Sequence, residues 1–125
     1  MMRKLINDYV YVFTNSSANF KDVVDRCIEY WMPEPAPMIL LLSAIGKSFV
    51  KQINTLSENE KKKLFQHVEE GMHSSDRELS IAVATGLIES MVTASDEDDQ
   101  LWKQIEEHLG IESKKHAIAW KNFGQ

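Results

Sequence analysis

An all-α fold is what the sequence predicts, on three observations. Every apolar cluster in the 125 residues recurs at the i, i+3, i+4 spacing of one helix face, no stretch alternates polar and apolar residues as a half-buried strand does, and no Gly/Ser/Pro-rich linker divides the chain. A chain of this length makes one domain, residues 1–125, around one continuous core. Hydrophobic residues at 43% and charged residues at 26% place it with globular proteins, away from disordered and disulfide-scaffold chains. About seven short helices in antiparallel succession are expected, as stacked helical hairpins or an irregular bundle.

Leu5, Ile6, Tyr9, Val10 and Phe13 form the first stripe, broken by Thr14-Asn15-Ser16-Ser17, whose side chains favour turns and helix caps. Phe20, Val23, Val24, Cys27, Ile28 and Trp31 line one face of a second helix. Three prolines, Pro33, Pro35 and Pro37, then remove amide donors and stop it. Pro37 suits an early position in a third helix, which runs through Met38-Ile39-Leu40-Leu41-Leu42 to Ile45, Phe49, Val50 and Ile53. Ser57 and Glu60 form an S-x-x-E capping box for a fourth helix, with Leu64, Phe65, Val68 and Met72 buried and Lys61, Lys62 and Lys63 facing water.

Asp76 caps a fifth helix with almost no polar face, from Leu79 through Ile81, Ala82, Val83, Ala84, Gly86, Leu87, Ile88 and Met91 to Val92; it belongs at the centre. Ala82 and Gly86, four apart, let a neighbouring helix approach closely. A sixth helix begins in Asp96-Glu97-Asp98-Asp99, where carboxylates suit the positive end of the helix dipole, and it buries Leu101, Trp102, Ile105 and Leu109. Gly110 ends it as a C-cap, and a short helix from Ser113 to Phe123 presents Ala117, Ile118 and Trp120.

Catalytic signatures are absent from the sequence: there is no G-x-S-x-G, H-E-x-x-H, C-x-x-C or phosphate-cradling glycine loop. Neither catalytic residues, nor metal, nor other cofactor is expected. One E-x-x-H, Glu70 to His73 with His67 nearby, raises a small metal-dependent enzyme as a third reading, but a di-iron site needs two such elements and two further glutamates. Cys27 lies in an apolar stripe and reads as a small buried thiol. A single cysteine demands no oxidising compartment, so the cytoplasm is the expected location. Met1-Met2-Arg3-Lys4 has the charge of a secretory leader, yet Asn7 and Asp8 interrupt the apolar stretch, and no signal peptide is expected. The run from Ala36 to Ile45 is far short of the roughly 20 residues that span a bilayer.

Charge is the most informative feature. The net charge of −5 disfavours a nonspecific grip on nucleic acid or anionic membranes, so neither is expected as a partner. From Glu69 to Glu112 twelve acids stand against two bases, Arg77 and Lys103, a net charge of −10, while the rest of the chain carries +5. A one-signed field of that size suits capture of a basic protein, and Glu69, Glu70, Asp76, Glu89, Asp96, Glu97, Asp98, Asp99, Glu106 and Glu107 are the candidate partner-binding residues. Glu89 is the odd one among Leu87, Ile88, Met91 and Val92: it lies on the helix's narrow polar edge with Thr85, or pairs with a base to fix helix packing, or belongs to a site.

The chain also resembles a family of small all-helical bacterial proteins that act as immunity proteins beside polymorphic and contact-dependent growth-inhibition toxins. The resemblance spans Pro33 to Phe123. It rests on Pro37-Met38-Ile39-Leu40-Leu41-Leu42 opening a helix, on Glu78-Leu79 leading into Ala82-Val83-Ala84-Thr85-Gly86-Leu87-Ile88-Glu89, and on His108-Leu109-Gly110 before a final helix. Ile111 stands where that family often has proline, and Gly86 near where it often has an aromatic residue. The resemblance implies a cytoplasmic protein that binds and neutralises a cognate toxin domain, with Glu89 as a family-like polar position. Such toxins are frequently nucleases with cationic clefts, for which an acidic helical surface is the electrostatic complement. A general helical interaction module is the alternative.

Overall fold

The computed structural model describes residues 4–123; Met1, Met2 and Arg3, the start of the leader-like segment, lie outside the described residues. The helices are α1 (Lys4–Thr14), α2 (Ala18–Trp31), α3 (Met38–Gln52) with a 3₁₀ turn at Ile53–Thr55, α4 (Glu58–Met72), α5 (Arg77–Ala82), α6 (Glu89–Ser95), α7 (Asp99–His108) and α8 (Ile111–Lys121). A π-helical turn, Val83–Ile88, joins α5 to α6 without a break. The three pieces make one central rod, so the described residues form seven helical rods and no strand.

The helix starts follow the side-chain chemistry that predicts them. Ser17 accepts from the Phe20 amide at 3.3 Å, Asp76 from Leu79 at 2.9 Å and Asp98 from Leu101 at 3.1 Å. Ser57 and Glu60 close both arms of the capping box, at 3.1 and 2.9 Å. Pro37 is one place earlier than expected: it is the N-cap of α3, and its carbonyl takes the first helical bond from Leu41. Lys61 departs further. Its side chain is buried to 10% exposure, with the stem on the core side and the ammonium 3.3 Å from Glu58, whereas Lys62 and Lys63 are exposed.

α3 lies between α2 and the rod, α8 covers another side of the rod, and α4 closes the bundle against α1, α5, α7 and α8. Phe13, Phe20 and Phe49, none of them exposed, meet edge to face at the centre with centroids 5.4 to 6.2 Å apart. Phe65 continues the aromatic chain to His108, stacked at 5.0 Å. Glycine allows α3 and the rod their close approach: a Cβ on Gly86 would lie 2.6 Å from the Ile39 carbonyl, and one on Gly46 would overlap the Ser90 hydroxyl. Ile39 thus meets Gly86 and Gly46 meets Ser90, so the two helices run in the same direction.

The π turn also corrects the reading of the rod as apolar all round. A turn closing at i→i+5 takes in an additional residue and shifts the buried stripe, so Leu87 and Ile88 both point inward. An exposed strip remains along Arg77, Ile81, Thr85 and Thr93. No helix among the described residues is long and apolar enough to cross a membrane.

Candidate functional site

Of the ten acidic residues singled out by charge, the fold turns several inward or employs them locally. Glu69 is the clearest correction. Its carboxylate, 19% exposed, reaches from α4 to the start of α8 and accepts from the Ser113 amide at 2.9 Å, the Ser113 hydroxyl at 2.7 Å and the Glu112 amide at 3.1 Å, with His73 Nε2 at 2.7 Å on its outer side. It is the N-terminal cap that α8's own N-cap residue, Gly110, lacks a side chain to provide. Burial works against this carboxylate, but the four donors together hold it below the usual glutamate range.

Gly110 is corrected with it. It follows the C-cap Leu109 and has φ −71, so no left-handed conformation calls for glycine; its Cβ position is filled by Glu69, whose Oε1 would lie 2.5 Å away. Glu89 makes the pairing with a base that the packing alternative expects. His116 Nε2 of α8 sits 2.8 Å from its carboxylate, which is 18% exposed. Asp96, though exposed, ion-pairs with Lys121 at 3.0 Å, and that ammonium also lies 4.9 Å from the Trp102 ring centroid. Asp76 and Asp98 are occupied as helix caps.

Part of what remains outward is concentrated at one corner. Glu97, Asp98 and Asp99 are exposed where the connection enters α7, whereas Glu107, exposed just over two turns on, lies away from them beside Lys62 and Glu69, and Glu106 is half-buried next to it. Lys103 interrupts this face between Asp99 and Glu107. Glu70 is exposed on α4, remote in sequence from the corner and 3.7 Å from His67.

The E-x-x-H element does not assemble as metal-site geometry. His67 turns into the core: its Nε2 lies 2.8 Å from the Tyr9 carbonyl, its ring stacks on Tyr9 at 4.0 Å, and the Tyr9 hydroxyl donates back to the His67 carbonyl at 3.0 Å. His73 is engaged by Glu69 instead. Among the described residues no three His, Cys, Asp or Glu side chains converge on one point. Burial lowers the His67 pKa, partly offset by the Tyr9 carbonyl and Glu70, and burial raises the Tyr9 phenol. Cys27 is half-buried, with its thiol also pushed up by burial.

Two concavities went unremarked in the sequence. A groove of about 650 Å³ separates the end of α3, with Lys47, Val50 and Lys51, from Thr93 of α6 and Asp98 and Leu101 of the α7 start. A smaller apolar notch of about 290 Å³ lies between Ile39 and Ile81. The i,i+4 pair Lys47 and Lys51 was visible in the sequence, and so was the place of Ile81 opposite Leu79, Ala82 and Val83 on the helix, although the apolar run around it hides it.

A family model for a domain of unknown function, DUF7674, matches residues 13–124. The chain belongs to that family. The DUF7674 match takes in the acidic corner, the Glu69 cap and both concavities. No curated protein and no solved structure matches the chain. The function of this domain family is unknown, so function rests on the geometry of these surfaces.

Proposed function

We propose that this protein is an inhibitor of the immunity type, which docks its acidic α6–α7 corner on the basic surface of a cognate toxin domain and blocks it. The observation that carries this reading is the concentration of Glu97, Asp98 and Asp99 at one exposed corner, with Glu107 exposed further along α7, while Glu69 and Glu89 are engaged inside the fold. Charges of one sign on a rim steer a basic partner and raise its encounter rate, and salt screens them over about 8 Å at physiological ionic strength. The resemblance to immunity proteins agrees with this chemistry and implies a cytoplasmic protein.

Glu97→Lys combined with Asp99→Lys and Glu107→Lys tests it without touching a helix cap. Against the cationic domain encoded beside this chain's gene, stopped-flow association of the triple variant at low salt is expected to be at least about tenfold slower, with a flattened salt dependence and an unchanged helical spectrum. Wild-type protein that neither binds nor inhibits such a domain, or a triple variant that associates at the wild-type rate, sinks the reading.

A further inference from the structure

The notch and the groove lie at opposite ends of one seam between α3 and the central rod. Glu78, Ala82, Gly86, Ser90 and Ala94 step by four along the rod and all face α3. On a regular α-helix such a row drifts about 40° per step, so from 78 to 94 it would wind through roughly 160° and leave α3. The π turn at Val83–Ile88 absorbs most of that drift. The two concavities therefore both open along the seam between α3 and the rod, about 18 Å apart along the axis from Ile39 to Lys51, with Lys47 and Lys51 turned about 80° and 120° round α3 from Ile39.

Their chemistries differ. The notch is mostly apolar, with Ile39 44% and Ile81 47% exposed and Glu78 its one charged lining residue, and residues 27–46 contain no Lys or Arg. At the other end Lys47 and Lys51 are exposed, one turn apart, and neither makes a hydrogen bond or ion pair among the described residues. Two like charges at i,i+4 repel and favour an anionic neighbour. Asp98, across the groove, is directed at the Leu101 amide, which leaves the lysines in the majority.

We propose that this seam docks a helical segment of a partner protein, about three turns long, apolar in its first turn and acidic in its last. An apolar side chain fills the notch between Ile39 and Ile81 while carboxylates meet Lys47 and Lys51. Lying parallel to α3, the segment also brings the negative end of its own dipole to the lysines. A basic segment would meet those lysines as like charges, and a purely apolar one would leave them unmatched. This surface borders the acidic corner at Asp98, which lines the groove, and does not rest on the toxin reading.

The probe is a fluorescein-labelled, hydrocarbon-stapled 14-residue helix with two leucines in its first turn and two glutamates in its last, titrated by anisotropy against the full chain. Ile81→Asp and Lys47→Glu/Lys51→Glu are each expected to weaken binding at least tenfold. The double lysine variant should instead prefer a matching probe with lysines in place of glutamates. All three positions are exposed, and Ile81→Thr serves as the milder variant should Ile81→Asp lose its helical spectrum. Glu107→Lys, at a position lining the separate hollow beside Lys62 and Glu69, should leave probe binding within twofold. Equal binding of the glutamate and lysine probes by wild type, no effect of removing the leucines, or self-association of the chain through the seam in place of probe binding each overturns the proposal.

Discussion

α3 and α8 both lie against the central rod, and opposite chemistries hold them there. α3 buries Leu41, Leu42, Ile45 and Phe49 completely and lets its backbone approach the rod through Gly46 and Gly86. α8 buries only Ser113 and Ala117, leaves Ile111, Ile118 and Trp120 exposed, and is held by carboxylates from elsewhere: Glu69 at its first turn, Glu89 at His116 and Asp96 at Lys121. The α3 contact is made by apolar side chains and close backbone, with no ionisable side chain among Leu41, Leu42, Ile45, Gly46, Phe49 and Gly86. The α8 contact is polar, with partly exposed ion pairs individually worth little and one multiply bonded cap carrying most of the attachment. Acidity in this sequence therefore serves two purposes, fastening the last helix and charging the corner beside it.

Leu42→Ala should have the largest effect. The side chain is fully buried beside Gly86, and the truncation is expected to cost about 2–5 kcal/mol in chemical denaturation. The loss should be the same at low and high salt; a loss that salt changes strongly breaks the contrast with α8.

Glu69→Ala should cost less, about 1–3 kcal/mol, because it leaves three donors at the start of α8 without their acceptor. Hydrogen exchange should show the α8 amides losing protection well before those of α3. Uniform loss across both helices would mean that α8 is not a separately fastened element.

Acid should produce the smallest effect and sharpen the comparison most. Glu69 is held below its ordinary value in the fold, so its contribution is complete above the unfolded glutamate pKa of about 4.3 and is lost as pH falls through the folded value. His67 is a base with a lowered pKa, so neutral His67 stabilises the α1–α4 contact above about pH 6.5 and that contribution declines as pH falls below it. NMR titration should therefore show α8 loosening below about pH 4.3 in wild type, with this transition removed in Glu69→Gln, while α3 is unaffected. An α8 transition that persists in Glu69→Gln assigns the latch to another group.

Much of the fold was legible because helix periodicity and capping are local. Ser17, Ser57 with Glu60, Asp76 and Asp98 all cap where their neighbours in sequence require it. The site was legible only in part. Glu69 lies 44 residues from Ser113 and Glu89 27 residues from His116, so no spacing rule announces that these carboxylates are taken. Lys61 looked solvated beside Lys62 and Lys63, but its helix angle placed it on the Leu64 and Phe65 side.

By itself, the sequence determined the helical class, the helix starts, the central place of the fifth rod and the excess of acid in its second half, since each follows from side chains within a few turns of one another. Tertiary structure alone decided which acids remain outward, how the π turn straightens the row facing α3, and why Gly110 must be glycine. Those depend on where another helix's backbone or carboxylate lies, and elements far apart in sequence meet only once the core has packed.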